Sequence, residues 1–355
     1  MAYTDIDKSD DYFNTKLYTG NGSNNTSITG VGFQPDWVWV KARNIAYGHK
    51  LFDVVRGQGK RLASQSDAAE STVTDELTSF NSDGFTTNNN AGMNENNRPY
   101  VSWNWKAGTS FSNSAGANSA TIASTGSINT DAGFSIISYT GNGASNDTAK
   151  IAHGLGVAAN MIIVKCRNAA GGWQTSSTSL GWNNVLRMEQ TSASSSGTYA
   201  FGVSGVTPTS TVFTVAATSG GNHTNTNSNT YIAYCFAEKQ GYSKFGSYTG
   251  NGSSNGPFIY TGFKPAWVVA KKTSGTGSWR MWDNKREGYN GDNAFLYANL
   301  SNAEESDGTL VDFCSQGFKW RGSSQDMNGS GGSYIYMAFA ENPFVTSTGV
   351  PACAR

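Results

Sequence analysis

The chain has 355 residues, 25 basic and 25 acidic side chains, and 14% charged residues, so it lacks the positive surface that a nucleic-acid partner requires. Glycine fills 42 positions and aromatic residues make up 12%, a mixture that suits short strands and tight polar turns better than helices. No apolar run approaches the ~20 residues of a membrane-spanning helix, so no membrane insertion is expected.

In chain order, residues 1–12 read as an N-terminal arm. The start, MAYTDIDKSDDYFN, lacks the apolar stretch of a secretory leader, so any exit from the cell is expected by another route, such as lysis releasing assembled virus particles. DIDKSDD, residues 5–11, alternates oxygens as a calcium loop does. However, Asp10 stands where an EF-hand needs Gly and Lys16 where it needs Glu, so a solvated acidic arm is expected, with no metal.

From residue 13 the chain repeats itself. YTGNG occurs at residues 18–22, 139–143 and 248–252. Each copy precedes an apolar block: GVGFQPDWVWVKAR from Gly30, HGLGVAANMIIVKCR from His153, and YTGFKPAWVVAKKT from Tyr260. Each unit then closes on YVSWNWKA from Tyr100, YIAYCFAE from Tyr231, or YIYMAFAE from Tyr334. Three matching blocks in one order define repeats at 13–108, 133–240 and 241–345.

Asn-Gly predicts a tight hairpin turn in each copy. The second block, apolar on both alternating faces, predicts a strand covered on both sides. The first closing block places Val101, Trp103 and Trp105 on one side and Ser102 and Asn104 on the other. LTSFNSDGF from Leu77 and LVDFCSQGF from Leu310 predict strand pairs turning at Asp83-Gly84 and Gln316-Gly317, and 66–77 offers room for a short helix. The expected fold is all-β, with three tandem antiparallel β-sandwich or jelly-roll domains, arranged as beads that each bury their own core.

The Ser/Gly/Ala-rich segment 109–132 reads as a linker, either a flexible spacer or an extended connector lying on a neighbouring domain. Residues 346–355 read as a C-terminal arm. The four cysteines, Cys166, Cys235, Cys314 and Cys353, include no CxxC pair. Cys166 and Cys235 could meet in the middle unit, although buried free thiols are the simpler expectation.

No catalytic constellation is visible. GSSNG at 252–256 fits the GxSxG pattern, yet His49, His153 and His223 all precede Ser254, whereas that chemistry needs a later histidine. Nothing matches HExxH, a phosphate-cradling loop or a dinucleotide fingerprint, so no cofactor is expected. Asp53 in LFDVVRG aligns with Asp283 in MWDNKREG, and Glu70 with Glu305, as a pair of glycan-cleaving carboxylates would. Each aspartate also lies three residues before an arginine, Arg56 or Arg286, which points to structural ion pairs instead. His49, Trp173 and Trp279 share one aligned loop position, and Trp282 stands where the first unit has Phe52. These side chains form either a platform for a glycan or receptor, or a cap on the sandwich core.

Taken together, LYTGNG, ITGVGFQPDWVWVKAR, LFDVVRG, LTSFNSDGF, YVSWNWKAG and DAGFSIISYTGNG resemble a repeat family of structural proteins in tailed, often marine, bacteriophages. The likeness runs through the closing ENPFVTSTGVPACAR; the middle unit departs from it, with GVAANM where Pro35 and Pro265 stand in its neighbours. It implies concanavalin A-like β-sandwich repeats and a non-enzymatic virion protein at the particle surface, a tail or fibre component or a capsid decoration, made in the host cytoplasm. Other virion proteins and further copies of the chain are the implied partners, in a homo-oligomer. One alternative is a receptor-binding or glycan-adhesion protein that meets host-surface glycan through Trp173, Trp279, Trp282 and His49. Another is a polysaccharide depolymerase.

Overall fold

The computed structural model describes residues 4–217, 221–286, 290–291, 293–306, 308 and 310–351. Cys353 lies outside the described residues.

Each unit builds a principal sheet in the same antiparallel order of opening, closing, central and lateral strands. In the first unit these are Phe13–Thr19, Pro99–Trp105, Trp37–Ala42 and Lys50–Asp53. In the second they are Phe134–Thr140, Thr230–Phe236, Met161–Cys166 and Gln174–Ser177, and in the third Ser243–Thr249, Ser333–Pro343, Phe263–Lys272 and Arg280–Asp283. A smaller outer sheet covers each one, led by Thr26–Thr29, Ala149–Ala152 or Phe258–Tyr260. The architecture is all-β and antiparallel, as expected.

Period-2 alternation then decides what each face meets. In the first central strand, Val38, Val40 and Ala42 pack with Ile28, Phe52 and Phe85 inside the unit's own sandwich. Trp37 and Trp39 point the other way, into a second core to which all three units contribute. There Trp37 stacks on Tyr234 with ring centres 4.4 Å apart, Trp105 meets Trp267 edge-on at 5.6 Å, and Phe236 meets Phe339 at 6.0 Å. The expectation of beads therefore fails. Each central strand is apolar on both faces because its own outer sheet covers one and the neighbouring units cover the other. The closing strand of the first unit makes the same point, since its Trp side faces the shared core while Ser102 and Asn104 are fully buried on the opposite side.

YTGNG does not form the expected hairpin. Gly22, Gly143 and Gly252 adopt φ of 70°, 76° and 67°, but the preceding asparagines are not left-handed, as an Asn-Gly hairpin turn requires. Instead each motif clasps a buried asparagine just ahead of the closing strand. Asn94 accepts from Asn21 N at 2.9 Å and donates to Asn21 Oδ1 and Ser23 O. Asn225 does the same with Asn142 and Ala144, and Asn328 with Asn251 and Ser253. The tyrosines of the motif stack on those that open the closing strand: Tyr18 on Tyr100, Tyr139 on Tyr231 and Tyr248 on Tyr334, at 5.1, 5.2 and 4.9 Å.

The strand pairs ending at Gly84 and Gly317 form as expected. A Cβ on either glycine would lie 2.0 Å from the carbonyl oxygen of Ile28 or Ile259, so only glycine lets the outer strands approach. The short α-helix sits at Ala91–Asn94, capped by Asn90, and not within 66–77. Segment 109–132 is an extended connector that contributes strands Thr109–Asn113 and Ser124–Asn129 to the second unit's sheet. The N-terminal arm is less solvated than expected, because Ile6 joins the shared core and Asp7 accepts from Ser347 N and Oγ. Cys166 and Cys235 are free and buried.

Candidate functional site

His49, Trp173 and Trp279 occupy equivalent places at the seams between units and expose almost nothing to solvent. Trp173 Nε1 donates to Ala63 O and Ser66 O of the first unit, at 3.0 and 3.1 Å. Trp279 Nε1 reaches Arg187 O of the second unit at 3.1 Å. His49 closes the ring by contacting Tyr297 O of the third unit through Nε2 at 2.8 Å. Its Nδ1 accepts from Trp39 Nε1 at 2.8 Å, so Nε2 carries the proton. Burial, helped by nearby Lys41, pushes the His49 pKa down to about 3 and keeps the ring neutral. The contacts run from unit two to one, three to two and one to three, a cyclic quasi-threefold order. Trp282 lies inside the third sandwich, edge-on to Trp320 at 5.2 Å. None of the four presents a face to a glycan or receptor; the expectation of an exposed aromatic platform there is corrected by their burial.

The aspartate and arginine pairs reinforce two of these seams. Asp53 holds Arg56 Nε, and Asp283 holds Arg286 Nε at 2.7 Å, all four side chains being fully buried. Arg56 continues to Glu70 at 3.3 Å and Arg286 to Glu304 at 3.0 Å. Burial opposes the Arg56 charge, yet Asp53, Tyr234 and Glu70 together raise its pKa. Across the seams, Tyr234 OH donates to Asp53 at 2.7 Å and Trp103 Nε1 donates to Asp283 at 3.0 Å. Glu70 grips Arg167 of the second unit through two hydrogen bonds, and Glu304 grips Arg43 of the first in the same way. Glu304, not Glu305, is therefore the partner of Glu70 in the repeat. With both acids bound to arginines at a seam, this set is not a carboxylate pair open to a sugar.

The third seam replaces the aspartate and arginine pair with uncharged side chains. Ser177 pairs with Met161 as Asp53 pairs with Trp37, and Leu180 takes the place of Arg56. The residue opposite is correspondingly Met337, where the other units carry Tyr234 and Trp103. A buried lysine recurs in all three units. Lys165 Nζ donates to Asp67 O across one seam and Lys271 Nζ to Thr191 O and Ser192 O across another, while Lys41 bonds Ala42 O and Ile45 O in its own unit. Burial lowers the pKa of each to about 8.

The concave surface lies elsewhere. A cleft of about 490 Å³ opens between the two sheets of the third unit, lined by Ser243, Lys244, Tyr260, Thr261, Glu238 and Phe344, among others. Beside it Tyr260 is 63% and Phe258 47% exposed, whereas the other aromatic side chains among the described residues are buried or half-buried. Sequence reasoning passed over both. The signal was present: FIY at 258–260 puts aromatics on either side of the core Ile259, where the first unit has Ser27 and Thr29 around Ile28 and the second has Lys150 and Ala152 around Ile151. Among the described residues, no three His, Cys, Asp or Glu side chains are grouped to hold a metal ion.

The fold and its seams define a class: a single-chain, quasi-threefold assembly of antiparallel β-sandwiches around one shared core. The chain belongs to the family described as Domain of unknown function (DUF7483), whose profile matches residues 8–343. No curated protein and no solved structure matches it.

Proposed function

We propose that this chain is a non-enzymatic structural protein of a bacteriophage particle, a tail or fibre component or a capsid decoration, assembled with other virion proteins and with further copies of itself. The observation that supports this reading best is the use of buried charge. Asp53, Arg56, Glu70, Asp283, Arg286 and Glu304 are all bound to one another or across seams. Side chains that an enzyme would aim at a substrate serve here to hold three units rigid. The resemblance of the repeat motifs to those of phage structural proteins is what favours a virus particle as the setting. The bond from Asp7 to Ser347 brings both ends of the described chain to one side, which fits a block attached at a single place.

Mass spectrometry and electron microscopy of gradient-purified particles from a phage carrying this chain test the reading. The chain is expected as a repeated surface feature at stoichiometric copy number. Its absence from intact particles overturns the assignment, and release of reducing ends from host polysaccharide by the purified protein establishes the depolymerase instead.

A further inference from the structure

The second and third units differ in what covers the open side of the sandwich, between the edge of the principal sheet and the edge of the outer one. In the second unit the connector fills that side. Its strand Ser124–Asn129 pairs along the whole opening strand, from Ser124 opposite Tyr139 to Asn129 opposite Phe134. Just before it, Ile122 forms a parallel bridge to Ile151 of the outer sheet. Thr121 N and Ile122 N donate to Lys150 O, and Thr121 Oγ1 accepts from Lys150 N. Ser124 Oγ donates to Ala152 O, and Ala120 and Phe111 pack over Ala152. One short stretch thus extends both sheets at once.

In the third unit the equivalent edges are only partly covered. Ser243–Thr249 and Phe258–Tyr260 each end their sheet with no described strand paired along them. Ser243 N donates to Lys239 O, Phe245 N to Glu238 Oε1, and Phe245 O accepts from Ser179 Oγ, which leaves residues 247–249 as the open part of the opening strand. The position of Ala152, which is 1% exposed, is taken by Tyr260 at 63%, and that of Lys150 by Phe258. The cleft lies between these two edges. Unpaired strand edges carry a row of unused backbone donors and acceptors, and exposed aromatics beside them mark a surface that gains by being covered.

We propose that this side of the third sandwich is a docking site for an extended segment of another protein chain, one that adds a short strand to residues 247–249 of the opening strand and lays an aliphatic side chain beside Ile259. The occupant's chemistry follows from the connector that fills the sister site. Residues 108–130 are mostly small and polar, carry no charge, and have Phe111, Ile122 and Ile128 as their larger apolar side chains. The cleft suits such a segment, since its two acids, Asp5 and Glu238, are matched in number by two bases, Lys239 and Lys244, and Glu238 pairs with Lys244 at 2.9 Å. A saccharide would use Tyr260 but leave the strand edge unpaired, so a peptide strand accounts for more of the surface. The inference stands apart from the assignment to a virus particle.

The test uses the whole chain and a fluorescein-labelled synthetic peptide with the sequence of residues 108–130. Fluorescence anisotropy is expected to show saturable binding, and hydrogen exchange to slow at 247–249 and 258–262. Tyr260→Asp combined with Phe258→Ser is expected to weaken binding at least tenfold, with circular dichroism and melting temperature unchanged because both side chains are exposed. The proposal is overturned by any of four results: no saturable binding, equal binding of a scrambled peptide, slowed exchange only at 134–140 and 149–152, or indifference to the double substitution. Binding of maltoheptaose or chitohexaose at Tyr260, with the peptide ignored, assigns the cleft to sugar instead.

Discussion

Two seams of this molecule are built around buried ion pairs, and the third, though Lys271 crosses it, is not. Where the first unit meets the second, and the third meets the first, an aspartate, an arginine and a glutamate bridge the gap and a Tyr or Trp donor completes the set. Where the second meets the third, Ser177, Leu180 and Met337 occupy the same places. All three seams close around one core, so the charges are one of two workable solutions and not a requirement of the architecture. The desolvation cost of a buried ion pair roughly cancels its attraction, which makes a matched apolar set a fair exchange. The exchange has to be complete, because half of it strands a charge.

The largest effect should come from making only half of it. Arg56→Met leaves Asp53 buried without its counter-charge, held only by Tyr234 OH and the amides of residues 55 and 56, and is expected to cost about 3–5 kcal/mol in chemical denaturation. Copying the centre of the third seam, with Asp53→Ser, Arg56→Leu and Tyr234→Met and Glu70 left paired with Arg167, should recover more than half of that loss; a graft as damaged as the single variant would mean that the seams are not interchangeable. Calorimetry of the unaltered chain is expected to show one cooperative transition, since no unit holds its inner face alone. Three separate transitions would restore the picture of beads.

The asparagine clasps provide a control for that comparison, because they do not vary among units. Asn94→Ala, Asn225→Ala and Asn328→Ala should each lower stability by about 1–3 kcal/mol, the cost of leaving buried partners unsatisfied. Their effects should be alike, where equivalent seam substitutions should differ.

The smallest effect is a pH dependence. Lys41, Lys165 and Lys271 are lowered to about 8 in the folded chain from an ordinary value of 10.5. Between these values the unfolded chain binds more protons than the folded one, so stability rises with pH across that window and these lysines contribute no slope below it. Buried tyrosines with raised pKa, such as Tyr234, act in the opposite sense above about pH 10. Lys41→Met should make the rise between pH 8 and 10 shallower, as read from urea midpoints.

Much of the fold was legible in the sequence because repeats, strand periodicity and turn residues are local signals. The arrangement of units was not, because period-2 alternation states that a face is covered without saying by what. The Trp side of YVSWNWKA suggested a unit's own core, and it belongs to the shared one. Asn-Gly suggested a hairpin because its partners, Asn94, Asn225 and Asn328, lie some 70 to 85 residues away, where no local rule reaches. The recurrence at His49, Trp173 and Trp279 was visible, but an aromatic residue at a loop reads alike whether it meets a ligand or a neighbouring carbonyl. Phe258 and Tyr260 were detectable only by asking where one repeat breaks the pattern of the other two.

The contact from His49 to Tyr297 joins residues 248 apart in the chain. At 5–20 residues per second, a ribosome needs roughly 10–50 s to make that stretch. During that time Trp37 gains its cover first, from Tyr234 of the second unit, while Trp105 waits for Trp267 of the third. Closing the ring through its first and last members leaves the newborn protein with part of its stickiest face open until nearly the end of synthesis.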